Sequence, residues 1–362
     1  LDAVLGSAQP GDIVLLAAGL YDGFQIGVSG EPGRPIVVRN GGGAVVNGEI
    51  GIFLQHDVHV EGLTVNGRIR FNGTDRTSIT GNTINAKPEN EGHGIITYLR
   101  AEDAYIADNV VNGVTAWNDS ALGASGNNLG EGILVTGPGH VIERNRVSGV
   151  RDAISFVEDT GAFDQFSLDV LDNDILNAAD DGIEADFCFH NCRIMRNRLT
   201  NTFVALSAQP TLGGPTYFVR NIKPGVYGVT DELGYNVAHV AFKLYRGSTG
   251  DVIVNNTVVK SGDAFGNYAS RPVSNLYLRN NLFIGGPGGT YGGYENGTGR
   301  VFDVGTLDLA SVDADHDGYG STTGTFVFRW GDVATAMGLP AMRATTTEAH
   351  AVEVTMATFA SG

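Results

Sequence analysis

The chain is poor in cysteine, tryptophan and methionine, with two, two and four of each among 362 residues. Its cysteines, Cys188 and Cys192, bracket Phe189, His190 and Asn191. That spacing allows a small staple within one turn or two half-buried thiols, and two cysteines do not fix a redox compartment. A zinc centre of Cys188, His190 and Cys192 is disfavoured, because a fourth ligand and the usual spacing are missing. Basic residues are also scarce: 23 Lys and Arg against 40 Asp and Glu leave a net charge of −17. The deficit argues against a nucleic-acid partner, since phosphate binding needs surplus Lys and Arg. It leaves room for an acidic polysaccharide, which needs only a local basic patch or a bridging cation. No apolar run approaches the ~20 residues of a membrane span, so no membrane partner is expected. The sequence opens on Leu1 without a signal segment and reads as a mature or trimmed product, secreted or periplasmic, and expected to be a monomer.

Glycine is abundant. The 52 glycines stand against 11 prolines without a collagen period, and hydrophobic residues reach 42%. This composition implies many tight turns joining short strands around a substantial core. One pattern recurs: an apolar residue, two residues, Asn, one residue, an apolar residue. It appears as Ile79-Asn82-Ile84, Ile106-Asn109-Val111, Ile142-Asn145-Val147, Val170-Asn173-Ile175 and Ile194-Asn197-Leu199. Ile253-Asn256-Val258 and Leu278-Asn281-Phe283 continue it, with Phe218 and Asn221 as a weaker copy. Steps of 24 to 36 residues between these asparagines suit a solenoid with three short strands per rung. Asn tolerates left-handed backbone angles and can bond the turn of the next rung, so stacked turns would form an asparagine ladder. The expected fold is all-β, a right-handed parallel β-helix of about eight rungs over residues 1–300. Residues 301–362 lack the ladder, hold a helix near 331–342, and are expected to form a C-terminal cap.

A second strand follows the ladder position, starting at Gly94, Gly132, Ala153, Gly182, Ala205 and Ala241. It begins with a small residue and then alternates, its second and fourth residues pointing inward. The lead from Asn is eight or nine residues in the regular rungs, but 12, 23 and 20 before Gly94, Gly132 and Ala241. Insertions on a solenoid collect on one face, which is often the binding face. Segments 112–130 and 222–239 would therefore wall a groove beside this strand stack.

The outward columns define the chemistry. One reads Ile96, Leu134, Ser155, Glu184, Ser207, Lys243; the other Tyr98, Thr136, Val157, Asp186, Gln209, Tyr245. Rungs lie ~4.8 Å apart, so Glu184 and Lys243 are ~10 Å apart at the backbone and their side chains can converge. Turn residues Asp180 and Asp181 stand beside Glu184, and Asp152 aligns with Asp181 one rung earlier. Asp180, Asp181, Glu184 and Asp186 would repel one another unless a hard cation such as Ca²⁺ binds or a raised pKa leaves one protonated. The plain alternative is that the aspartates cap turns while the others are solvated. Lys243, Tyr245 and Arg246 two rungs later weigh against it. His239 and His93 border the groove.

The string Asn177-Ala-Ala-Asp180-Asp181-Gly182-Ile183-Glu184 resembles the Asp-Asp-Gly-x-Asp calcium motif of family 9 pectate lyases. The resemblance implies Ca²⁺ held by Asp180, Asp181 and Glu184 with Asp152, and Lys243 as the base that takes a sugar C5 proton. Glu184 replaces the motif's last Asp, and the gap to the lysine is longer. On this reading the chain is a polysaccharide lyase that cleaves a uronic-acid polymer by β-elimination. Arg246 would stabilise developing charge, Glu184 and Tyr245 would assist catalysis, and Tyr98, Gln209, Asp186 and His239 would contact substrate. A glycoside hydrolase resembling the family 28 polygalacturonases is the alternative. Asp152, the Asp180-Asp181 pair and the Lys243–Arg246 cluster follow that family's order, but Phe203 and Val204 stand where its Gly-His-Gly falls. A non-catalytic carbohydrate-binding β-helix is the third reading. Separately, Asp313-Ala-Asp315-His-Asp317-Gly318 opens like a calcium loop, but Gly324 fills the twelfth position, which favours a polar turn.

Overall fold

Alternating Val, Ile and Leu make short strands that bury one side, and each strand pairs in parallel with its counterpart one coil later. In the computed structural model, which describes residues 1–224, 240–244, 246–260, 262–267, 271–286, 290–291, 294–295 and 299–359, the result is an all-β chain of stacked parallel sheets. One sheet is 13-stranded, and all but one of its strands stack in a single order from Ile13–Leu16 to Val312–Asp315. Its inward residues run in register through Val38, Val60, Ile79, Ile106, Ile142, Val170, Ile194, Phe218, Ile253, Leu278 and Ala314. A second, 21-stranded sheet carries the remaining coil strands. Among the described residues the antiparallel strand pairs are local, as in Val327–Trp330 against Val333–Met337.

The repeats extend further than about eight rungs. Asparagine undercounts them because other residues take its place at both ends. Leu63 occupies the position before Asn82, donating its N–H to the Asn82 side chain at 2.9 Å. Asp317 follows Asn281 and accepts from its Nδ2 at 2.8 Å and its backbone N–H at 2.6 Å. Strands Phe302–Val304 and Gly318–Ser321 pair in register with Asp263–Asn267 and Leu282–Gly285, so coiling continues past residue 300. The terminal helix lies at Gly338–Thr345 rather than 331–342, because residues 333–337 first fold back as a strand.

Between the sheets, the Asn side chains form an unbroken series. Asn82, Asn109, Asn145, Asn173, Asn197, Asn221 and Asn256 each donate Nδ2 to the next Oδ1 at 2.9–3.1 Å, ending on Asn281. The left-handed residue is the one before each Asn: Asp108, Arg144, Asp172, Arg196, Arg220, Asn255 and Asn280 have φ of 53–58°. That residue turns the chain, and the following Asn satisfies the groups the turn leaves unpaired. A shorter outer series links Asn47, Asn66, Asn85 and Asn112 at 2.9–3.0 Å. Cys188 and Cys192 are joined as a disulfide, which resolves the two sequence alternatives. No helix among the described residues is long and apolar enough to cross a membrane.

Asn197 accepts from both nitrogens of Asn173 and donates to Asn221 and the Val170 carbonyl, all at 2.9–3.0 Å and buried. Asn197→Ala strands that carbonyl and the Asn173 N–H, and should cost about 2–4 kcal/mol in urea unfolding. Asn66→Ala, in the part-exposed outer series, should cost under about 1 kcal/mol.

Candidate active site

Strand Asp174–Glu184 spans eleven residues and kinks between Ala178 and Asp181, where its register with Arg198–Ser207 shifts. Asp180 and Asp181 sit at this irregularity inside a strand rather than in a free turn, and such bulges re-aim side chains. The register places Asp152 beside Asp181, whose N–H donates to Asp152 Oδ1 at 2.7 Å. Ser155 faces Glu184, Glu184 faces Ser207 and Ser207 faces Lys243, as the outward column requires.

Although it points away from the hydrophobic core, the acidic cluster is largely buried. Asp181 and Asp186 are 0% exposed, Asp152 3%, Asp180 8% and Lys243 9%. The 112–130 insertion supplies part of the cover: Leu122 packs on Phe203, Val204 and Val240, and Gly123 N–H donates to the Ala179 carbonyl. Most of 222–239 lies outside the described residues, as do Tyr245 and His239. The groove holds adjoining cavities of 240 and 290 Å³ that share Arg151, Glu158 and Glu184 in their linings.

Lys243 Nζ bonds Asp181 Oδ2 and stands 3.8 Å from Glu184 Oε1. Asp186 Oδ1 accepts from Ser207 Oγ at 2.6 Å and from Gln209 N–H at 2.9 Å. One oxygen each from Asp152, Asp181 and Glu184 lies within 4.8 Å of the others, and Glu158, Glu184 and Asp186 form a second such triad. Asp181 Oδ1 and Asp186 Oδ2 are buried without a hydrogen-bond partner. Each triad is all-oxygen and includes one residue with an unsatisfied carboxylate atom, Asp181 in the first and Asp186 in the second, which fits a hard cation. Asp180 joins neither triad; its carboxylate lies 3.6 Å from Arg151.

Burial and then the neighbouring Asp181 charge push the Asp180 carboxyl up to about 7, against the pull of Lys243 and Arg151. Burial raises Asp186 to about 8, and lifts Glu184 and Asp152 well above the carboxylate range. Burial lowers the Lys243 pKa, but Asp181, Asp186, Glu184 and Asp180 outweigh it and hold the amine well above its ordinary value. Lys243 is thus an ammonium among carboxyl groups that share protons.

Arg246 points elsewhere in the groove, 3.2 Å from Glu158 and 3.6 Å from Asp159. Tyr98, 41% exposed, stands on an earlier rung and bonds His93 Nε2 at 2.9 Å. His93 Nδ1 accepts the Glu131 N–H at 3.0 Å, so this histidine positions the groove's rim. Sequence reasoning missed Glu131, Arg151 and Glu158. Glu131 pairs with Asp152 in the register and accepts from Ser155 Oγ; its sequence signal is its place directly before Gly132, as Asp152 stands directly before Ala153.

No known family profile matches the sequence. No curated protein matches it either. Among solved structures, a polysaccharide lyase family 6 alginate lyase, AlyGC, matches with a TM-score of 0.52 and 13% identity over 98% of this chain. The chain spans 56% of that protein's length. A mannuronic-acid-specific family 6 lyase from human gut microbiota matches at 0.51 and 15% identity, covering 88% of this chain and 77% of its own. At these identities the likeness is one of fold.

Asp180 and Asp186 bind protons more tightly folded than unfolded, so their stability contribution is complete below pH ~4 and fades as pH rises through 7 and 8. Asp180→Asn removes one such group. Relative to wild type, the variant should gain at least about 1 kcal/mol between pH 4 and 8 in denaturant unfolding.

Proposed function

We propose that the chain is a right-handed parallel β-helix whose last segment, after Trp330, caps the coil, and that it is a polysaccharide lyase. It would act outside the cytoplasm on a uronic-acid polymer by β-elimination. The observation that carries this reading is the meeting of Lys243 with Asp181 and Glu184 in a walled groove. The fold shared with two alginate lyases supports it.

Lys243 is the base that takes the C5 proton, and it must first lose its own. Ca²⁺ held by Asp152, Asp181 and Glu184 would offset the charges that keep Lys243 protonated and neutralise the sugar carboxylate. Arg246 offsets charge that builds on the substrate, and Tyr245 protonates the leaving oxygen. Gln209, Asp186 and Tyr98 would contact the polymer, as would His239, which lies outside the described residues. The disulfide fits an extracytoplasmic site of action.

A second reading is favoured by one observation. Asp180 titrates at about 7 beside Asp181 and Arg151, which makes it a ready general acid for glycoside hydrolysis. Incubation with a panel of uronans separates the two. A lyase yields products with the ultraviolet absorbance of a C4–C5 double bond, whereas new reducing ends without it would establish the hydrolase. Binding without either signal would leave a carbohydrate-binding module. Lys243→Arg keeps the positive charge but cannot serve as a base. Its kcat should fall at least ~100-fold with the melting profile retained. Chelation should abolish turnover and added Ca²⁺ should restore it.

A further inference from the structure

The turn Asp315-His316-Asp317 takes no part in the groove. It lies at the far end of the coil, where His350 arrives from the segment after the terminal helix. Asp315 Oδ1 accepts the backbone N–H of His316 at 2.9 Å and of His350 at 2.7 Å. The carboxylate is therefore fixed by the main chain of both segments. Its Oδ2 stands 2.7 Å from His350 Nδ1 and 3.4 Å from His316 Nδ1. The two rings stack with centroids 4.7 Å apart, 20° from parallel.

Neither ring reaches this place by chance of rotamer alone. His316 has φ of 66°, the left-handed angle of the residue before every ladder position, so the coil itself sets its direction. His350 precedes Val352, which pairs with Gly318 two residues after His316. Both side chains are open to solvent, at 56% and 68% exposure, so an ion could enter and water could complete its shell.

We propose that Asp315, His316 and His350 form a binding site for a divalent transition metal of the zinc class. Two imidazole nitrogens and a carboxylate oxygen are the donors such ions prefer, while calcium takes oxygen alone. One donor atom from each residue lies within 4.8 Å of the others. The 3.4 Å edge matches the ~3.3 Å spacing of tetrahedral ligands at ~2.0–2.1 Å from one ion, and the 2.7 Å edge is a hydrogen bond that opens by about half an ångström when the metal replaces its proton. Only the exposed rings must turn. The metal replaces the Nδ1 protons now directed at Asp315, so binding weakens in acid. Arg279, whose charge reaches Asp315, is offset by Asp313 at 2.5 Å. The ion would staple the terminal segment to the last coil.

Calorimetric titration of the chelator-stripped full chain with Zn²⁺, in the presence of excess Ca²⁺, tests this. The expected result is one zinc equivalent that Ca²⁺ does not displace, with a higher thermal midpoint. His316→Ala and His350→Asn should each weaken binding at least about tenfold and abolish the zinc-dependent rise. The side-chain amide introduced by His350→Asn keeps a donor to Asp315, so the fold should survive, which circular dichroism checks. No zinc binding by the wild type would overturn the proposal. So would unchanged stoichiometry and affinity in a variant carrying both His316→Ala and His350→Asn, which would put the ion on the groove carboxylates.

Discussion

The structure depends on a constraint repeated once per coil: a left-handed residue turns the chain, and the next side chain satisfies the amides that the turn leaves bare. The Asn82-to-Asn281 series does this eight times in a buried, water-poor space. An unpaired amide there would cost ~1–3 kcal/mol, so each Asn fixes the register of two coils at once. Register is what a parallel stack most needs, since a slip of one residue would send every inward side chain outward. The aromatic column Phe242, Phe265, Phe302 and Trp330, stacked at 4.5–5.4 Å, adds packing along the same axis. It does not choose a register by itself, because rings slide more freely than hydrogen bonds.

The groove inherits its geometry from that register. Glu184 and Lys243 are two strands apart with Ser207 between them, so a small residue in the middle lets two long side chains meet over it. Burying Asp152, Asp180, Asp181 and Asp186, with Glu131 and Glu184 half-buried beside them, against Lys243 and Arg151 leaves an excess of negative charge in a medium that screens it poorly. The molecule absorbs the excess by letting Asp180 and Asp186 keep protons near neutral pH, and by donating backbone and hydroxyl groups to Asp152 and Asp186. Such an arrangement is poor for stability and good for chemistry, which needs groups that exchange protons or capture a cation.

Much of the fold was legible because its determinants are local and repeated. Asn and its flanking apolar residues recur with enough fidelity to fix the coil, and the small-residue start of the second strand fixes the columns. What escaped were substitutions that keep the function and change the letter. Asp317 accepts the same hydrogen bonds as an Asn, so the coil seemed to end before it does. Glu131 takes the register position of Asp152 one rung earlier, but there it stands alone rather than in an acidic pair, and nothing local marks Arg151. The convergence of Lys243 on Asp181 was half legible: the register gave the distance, but the side-chain path depends on the kink at Ala178–Asp181. Arg246 is three residues from Lys243, yet it turns to Glu158 on a different rung. Proximity in sequence says little once a strand has ended.

An acid-lined groove in a chain of charge −17 is at first sight ill suited to the acidic polymer proposed as its substrate. The difficulty is one of sign only while the carboxylates stay ionised and unpaired. Asp181 Oδ1 lacks a partner, so it offers a lone pair that a cation could take at little structural cost. With the proposed divalent ion on Asp152, Asp181 and Glu184, and Arg151, Lys243 and Arg246 around, the local balance would move toward neutral or positive where a sugar carboxylate would sit. The same acids that would repel the proposed polymer would then hold the ion that attracts it. Substrate affinity and metal occupancy should therefore be linked, and the groove's negative charge becomes the means of that linkage.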